Sequence, residues 1–192
     1  MASKKASLRD FFVLGPKSVG TPQGGLSFDT ISERDPLFAK PMCKWRDVPR
    51  VLPEYIATAG RGMTDVLGGI GPLLVSRRFV DFLETAKYTG WKAFPVKLKD
   101  KKGSPIKEKY FGLGILGRAG PLDQKRSRVE RSSPEIILTM KGIYFDPSTW
   151  DGSDFFLLQD LNANLVAGRV IEGLTAAKLT GWEATPLAKY GF

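Results

Sequence analysis

Histidine is absent from this 192-residue chain, and cysteine occurs once, at Cys43. Without an imidazole there is no Ser-His-Asp or Cys-His nucleophile, because both need a base poised near neutral pH. Histidine-ligated zinc, iron and copper sites are excluded with it. A single thiol forms neither an internal disulfide nor a cysteine zinc cluster, and it suits a reducing compartment. No apolar run approaches the roughly 20 residues that cross a bilayer. The opening stretch MASKKASLRDFFVLGP offers only Phe11–Leu14 as an apolar cluster, too short for the core of a signal peptide. The expectation is a cytoplasmic protein without a transition metal or cofactor. Long helices are improbable over 1–72, a Pro/Gly-rich region punctuated by Pro16, Pro22, Pro36, Pro41, Pro49, Pro53 and Pro72.

What remains open is carboxylate chemistry, lysine chemistry or a carboxylate-only magnesium or calcium site. The densest acidic stretch is Asp146–Asp154, with Asp160 following. It lacks the alternating Asp-x-Asp-x-Asp-Gly spacing of a calcium loop, and Trp150 stands where a ligand would be wanted. A turn-rich loop is the simpler reading. Gly112, Gly114 and Gly117 match G-x-G-x-x-G. The run into Arg118-Ala-Gly-Pro121 cannot open the helix that a dinucleotide site requires, so a Gly-rich strand or turn is expected.

The most informative feature present is a repeat. Residues 74–96 read LVSRRFVDFLETAKYTGWKAFPV and residues 165–187 read LVAGRVIEGLTAAKLTGWEATPL. Aligned without a gap, the copies share T-G-W-x-A-x-P and further identities at Arg78/Arg169, Leu83/Leu174 and Lys87/Lys178. Each copy starts with a β-prone Leu-Val pair. An apolar face of helical period follows: Phe79, Phe82, Leu83 and Ala86 in the first copy, Val170, Ile171, Leu174 and Ala177 in the second. Ser76 is placed to cap the first helix, whereas Ala167-Gly168 makes a weaker start. Gly90 and Gly181 are expected to close the helices in the left-handed conformation, and Trp91 and Trp182 to anchor the core. The pattern therefore predicts an α+β fold, a single globule built around two strand–helix–strand units, with helices over 79–87 and 170–178. Residues 73–192 form its core and 1–72 pack on it, one domain overall. Further short strands are expected near 10–14, 26–31, 136–140 and 143–145, and a brief helix or turn near Pro53–Ala59.

Charge is concentrated between the copies. Residues 97–131 hold eleven basic and four acidic side chains, a net +7 of the chain's +9. Read as an insertion, this stretch offers Lys99, Lys101, Lys102, Lys107, Lys109, Lys125, Arg126, Arg128 and Arg131 as a contact surface. Three uses fit such a cluster: protruding solvated loops, contact with an acidic protein, or phosphate binding as a non-specific nucleic-acid module. For nucleic acid, Tyr110 and Phe111 are thin aromatic support.

The pattern L-V-S-x-R-x-x-x-x-L followed by T-G-W-x-x-x-P-V, with Trp150-Asp-Gly-Ser-Asp-Phe-Phe156 ahead of its second appearance, resembles immunity-protein family 11 of bacterial polymorphic toxin systems (domain of unknown function family 1629). A Pro36–Pro41 segment is also similar to myxobacterial immunity proteins that carry double C-x-x-C-G motifs, which are missing here. The resemblance implies a small cytoplasmic non-enzyme active in interbacterial competition, whose partner is a cognate toxin domain and which brings no catalytic residues. Immunity proteins against nucleases tend to be acidic; a +9 chain suits an acidic toxin face or a toxin that is not a nuclease.

Overall fold

Short apolar runs such as Leu73–Val75 and Phe155–Leu158 set the central strands, which are buried on both faces. The computed structural model describes residues 7–21, 24–30, 52–69, 71–133 and 136–192. In chain order these form β1 (Phe11–Pro16), β2 (Ser27–Thr30), β3 (Glu54–Ala59), β4 (Val66–Gly69), β5 (Leu73–Ser76), α1 (Arg77–Thr85), β6 (Trp91–Pro95), β7 (Lys97–Lys99), β8 (Tyr110–Ile115), β9 (Gly117–Ala119), β10 (Glu130–Ser133), β11 (Ile136–Thr139), β12 (Phe155–Leu158), β13 (Leu161–Ala167), α2 (Gly168–Ala176) and β14 (Trp182–Pro186). Pro36–Pro41 and Cys43 lie outside the described residues.

The fold is α+β, as the sequence predicts. One sheet has the order β14-β1-β13-β12-β9, a second β6-β8-β5-β4-β2-β3-β7, and β10-β11 form a separate ribbon. The first five strands of the two large sheets correspond one to one. In both, the strand after the helix (β6 or β14) and the strand before it (β5 or β13) flank a common antiparallel neighbour, β8 or β1. In both, the far member of the hairpin (β4 or β12) takes a parallel partner, β2 or β9.

The central strands are themselves related in sequence. Phe11-Phe-Val-Leu-Gly-Pro16 and Tyr110-Phe-Gly-Leu-Gly-Ile115 occupy equivalent registers, with Pro16 opposite Trp182 and Ile115 opposite Trp91. Chain order makes β1 the opening strand of the first half and β8 that of the second. Each is inserted into the other half's sheet. The stretch 97–131 is thus not a simple excursion: it contains β8, a strand internal to the seven-stranded sheet, between two exposed basic segments. The glycines of the apparent dinucleotide motif belong to β8 and β9, and a Cβ on Gly112 would enter the Phe94 ring.

Successive residues point to opposite sheet faces, which gives three cores. The shared core draws on both large sheets and both helices: Leu14, Val75, Leu113, Phe155, Leu157 and Val166 meet Phe79, Leu83, Val170 and Leu174. The alternate residues of the five-stranded sheet, including Phe11, Phe156 and Leu165, join Phe145 and Met140 in a second core. Those of the seven-stranded sheet, including Leu67 and Leu74, join Phe28, Tyr55 and Leu98 in a third.

The elements depart from the sequence reading where local signals mislead. Residues 54–59 are a strand rather than a helix or turn, because Tyr55 and Ala57 alternate inward from more exposed neighbours. Ile143–Phe145 is irregular, its backbone bonded to the C-terminal turn through Ile143 N–H to Leu187 O (2.9 Å) and to Ser127 Oγ through Tyr144 N–H (3.1 Å). The helices start at Arg77 and Gly168, and Ser76 Oγ accepts the Phe79 N–H while Ala167 supplies no side-chain cap. Lys87 and Lys178, at φ 53° and 52°, take the left-handed position after each helix. Gly90 and Gly181 serve a different need. At φ +81° and +80° they pass against the backbone of the other half, where a Cβ would overlap Phe155 O or Val66 O. Trp91 and Trp182 are equivalent but half-buried at the margin of the shared core, each donating its indole N–H to a carbonyl (Tyr88 or Leu179, both 2.8 Å).

Strand exchange makes a specific prediction about a divided chain. Fragments 1–102 and 103–192, cut in the exposed turn between Lys102 and Gly103, should co-purify as a one-to-one complex when co-expressed. A tag on one fragment that fails to retain the other on an affinity resin, or fragments that elute apart on size exclusion, would refute the exchange.

Candidate partner-binding surface

The acidic side chains flagged in the sequence are each committed to local structure. Asp146 Oδ1 accepts the Ser148 N–H, Asp151 accepts Arg118 N–H and Ser153 N–H, and Asp160 accepts Leu122 N–H. Among the described residues no group of His, Cys, Asp and Glu is arranged to hold a metal ion.

Asp154 is different, and with Asp65 it forms a pair of equivalent centres. Asp154, 3% exposed, accepts from the Thr89 N–H (2.8 Å) and hydroxyl (3.0 Å) and pairs in bidentate fashion with Arg169. Asp65, 7% exposed, accepts from the Thr180 N–H (2.9 Å) and hydroxyl (3.1 Å) and pairs with Arg78 (3.2 Å). Each carboxylate precedes its own half's hairpin and binds the turn that follows the other half's helix. Backbone bonds repeat the exchange, Phe155 N–H to Thr89 O (3.1 Å) and Val66 N–H to Thr180 O (3.0 Å). The arginines differ in detail. Where the first half has Ser76 Oγ donating to Asp65 Oδ1 (2.8 Å), the second has Ala167, and Arg169 Nε reaches the corresponding oxygen. Arg78 also donates to Ala177 O (2.6 Å) at the end of α2, while Arg169 lies over the Tyr88 ring at 4.7 Å. The hydrogen bond to Asp154 raises the Arg169 pKa above its ordinary value.

These centres escaped the sequence reading because the hairpin turns differ in length. Thr64-Asp65 and Ser153-Asp154 do match, but their offset is 89 (154 minus 65) rather than the 91 of the 23-residue unit (165 minus 74). Allowing a two-residue gap would have found them.

The nine basic residues fall into two groups that the fold keeps apart. Lys99, Lys101, Lys102, Lys107 and Lys109 belong to the hairpin joining β7 to β8, beside the third core. Lys99 pairs with Glu54 (2.5 Å), and Lys101 Nζ donates to Gly60 O (3.1 Å). Lys102, Lys107 and Lys109 are exposed. Lys125, Arg126 and Arg128 are exposed on the turn leading into β10, and Arg131 is half-buried within it, beside the second core. Arg126 lies over the Tyr144 ring at 4.6 Å. Among the described residues no helix is long and apolar enough to cross a membrane.

The profile of the Imm11 immunity protein family matches residues 13–189, nearly the whole chain. The chain belongs to the Imm11 immunity protein family. The search of curated proteins found no match. The Imm11 span begins inside β1 and ends beyond β14, so it takes in most of β1, all of β8 and both aspartate centres.

For this Imm11 chain the aspartate centres set a stability expectation. Asp65→Ala or Asp154→Ala removes the buried acceptor of a threonine N–H and hydroxyl and of an arginine. Each should cost about 1–3 kcal/mol in urea unfolding, the exposed threonines and arginines keeping the loss below that of a fully buried pair. Wild-type stability in both variants would remove these centres from any structural role.

A pH expectation follows from the tyrosines. Burial raises the pKa of Tyr110, whose hydroxyl donates to Thr64 O (2.6 Å), with Asp65 and Glu108 adding to the rise; burial likewise raises Tyr88 and Tyr190. Because the folded values lie above the unfolded value of about 10, this stabilisation is complete below about pH 10 and is lost as pH climbs through the folded values. Thermal melts should fall steeply above about pH 10, and Tyr110→Phe should flatten that fall. An unchanged slope would contradict the assignment.

Proposed function

We propose that this Imm11 protein neutralises a cognate toxin domain by direct protein–protein contact in the cytoplasm, without catalysis, as part of a polymorphic toxin system. The observation that carries the reading is the family match together with exposed cations held on short, hydrogen-bonded turns. The first group stands on a hairpin fixed by Asp100, whose carboxylate accepts the Lys102 and Ser104 N–H groups at 2.8 Å each. The second stands on a turn fixed by Asp123, which accepts the Arg126 N–H at 3.0 Å. Preorganised charges of this kind speed association with an acidic face and limit the conformational entropy lost on binding.

A nucleic-acid module using the same cations is the rival reading. Phosphate binding favours a continuous basic groove interleaved with stacking aromatics. Here the two groups flank different cores, and of the aromatics beside the first group Tyr110 is buried while Phe111 is half-buried with Arg77 already over its ring at 5.9 Å.

Co-expression tests the proposal. The C-terminal domain of the secreted protein encoded immediately upstream should kill cells expressed alone and spare them with this chain, and the two should purify as a one-to-one complex. Equal killing with and without the chain would end the immunity reading, and protection without a complex would end the contact reading.

A further inference from the structure

The first basic group borders a shallow cleft along β7, a strand without an equivalent among the described residues of the five-stranded sheet. Its floor is Val96, Leu98 and Ile106, which pack against the third core. Its rim carries the exposed amines of Lys97, Lys107 and Lys109. The cleft is held in shape by backbone bonds on both sides of β7: Lys97 N–H to Pro53 O (2.9 Å), Ile106 N–H to Leu98 O (2.9 Å) and Asp100 N–H to Ser104 O (2.8 Å). Two acids are present. Glu54 is paired with Lys99, which leaves Glu108 alone against the three rim amines.

We infer that this cleft receives an acidic segment of the toxin, an apolar side chain flanked by carboxylates, and that it anchors the neutralising contact. The inference rests on the contact reading above and deepens it by choosing between the two basic groups. An apolar floor ringed by unpaired amines matches a segment that presents both features, because the floor excludes water and strengthens the charge pairs at its edge. A phosphate backbone carries charge without the apolar anchor, so it would leave the floor in contact with water. The second group meets the description less well: Arg126 is engaged with Tyr144, Arg131 is half-buried, and Asp123 and Glu130 lie among its cations.

The test measures binding of the purified full-length protein to the upstream-encoded toxin domain. Three variants are compared: Lys97→Glu/Lys107→Glu/Lys109→Glu on the rim, Ile106→Glu on the floor, and Lys125→Glu/Arg126→Glu/Arg128→Glu in the second group. Thermal unfolding verifies that each is folded, and Lys97→Gln/Lys107→Gln/Lys109→Gln replaces the rim variant should that one fail to fold. The rim and floor variants should weaken binding by about 100-fold, the rim mainly through slower association, while the second-group variant stays within about threefold of wild type. Wild-type complex formation with unimpaired rim and floor variants overturns the cleft and leaves the contact reading standing. Absence of any wild-type complex overturns both. A short DNA duplex that binds through the rim lysines and displaces the toxin also overturns the inference.

Discussion

Two buried carboxylates, each serving the half of the molecule it does not belong to, are the constraint on which the architecture rests. The turn after each helix leaves backbone N–H groups without a partner, and Asp154 and Asp65 take those of Thr89 and Thr180. That fixes the direction in which Trp91 and Trp182 leave the turn. The strands they open then lie beside β8 and β1. Remove the carboxylate and the turn loses its acceptor, the following strand its aim, and the exchanged strand its neighbour. The glycines at 90 and 181 belong to the same arrangement, since only a residue without a Cβ lets the two backbones meet that closely.

Symmetry ends where the surface begins. After β6 the chain continues through β7 and the lysine-bearing hairpin before reaching β8, whereas after β14 it turns at Leu187–Lys189 against the second core. The seven-stranded sheet likewise gains β3 and β7, and the five-stranded sheet does not. The scaffold positions are therefore duplicated, while among the described residues β7 and its hairpin occur once. Changes in the hairpin touch neither aspartate centre, so a recognition surface placed there is free to vary without disturbing the parts that hold the fold.

The fold class and the two helices were legible because the repeat carries its own pattern: apolar positions at helical spacing, a capping Ser76 and a shared T-G-W. Burial of Leu83 and Leu174 followed from that period. The half-exposure of the tryptophans did not, because a large aromatic is as well suited to the margin of a core, where its N–H finds a carbonyl, as to its centre. The exchange of β1 and β8 was hidden for another reason. A strand of six residues carries too little information to announce a partner far along the chain, and the shared Phe-x-Leu-Gly of residues 12–15 and 111–114 becomes visible only once register is known. At the candidate site, the charges were countable, but their division between two cores depends on β8 passing through the sheet between them. The apolar floor beneath the lysines was equally silent, being built from residues unremarkable in composition.

The position of β1 has a consequence for biosynthesis. Phe12 pairs with Pro186, 174 residues later (186 minus 12), and Phe11 with Ala167. β1 therefore emerges from the ribosome with neither neighbour yet made, and it waits until β13 and β14 have followed. Contacts of such long sequence separation slow folding and leave apolar strand edges open meanwhile. Phe11, Phe12, Val13 and Leu14 form just such an edge. Only copies in which β13 and β14 have been made hold β1 in its sheet, so the complete fold belongs to finished copies alone.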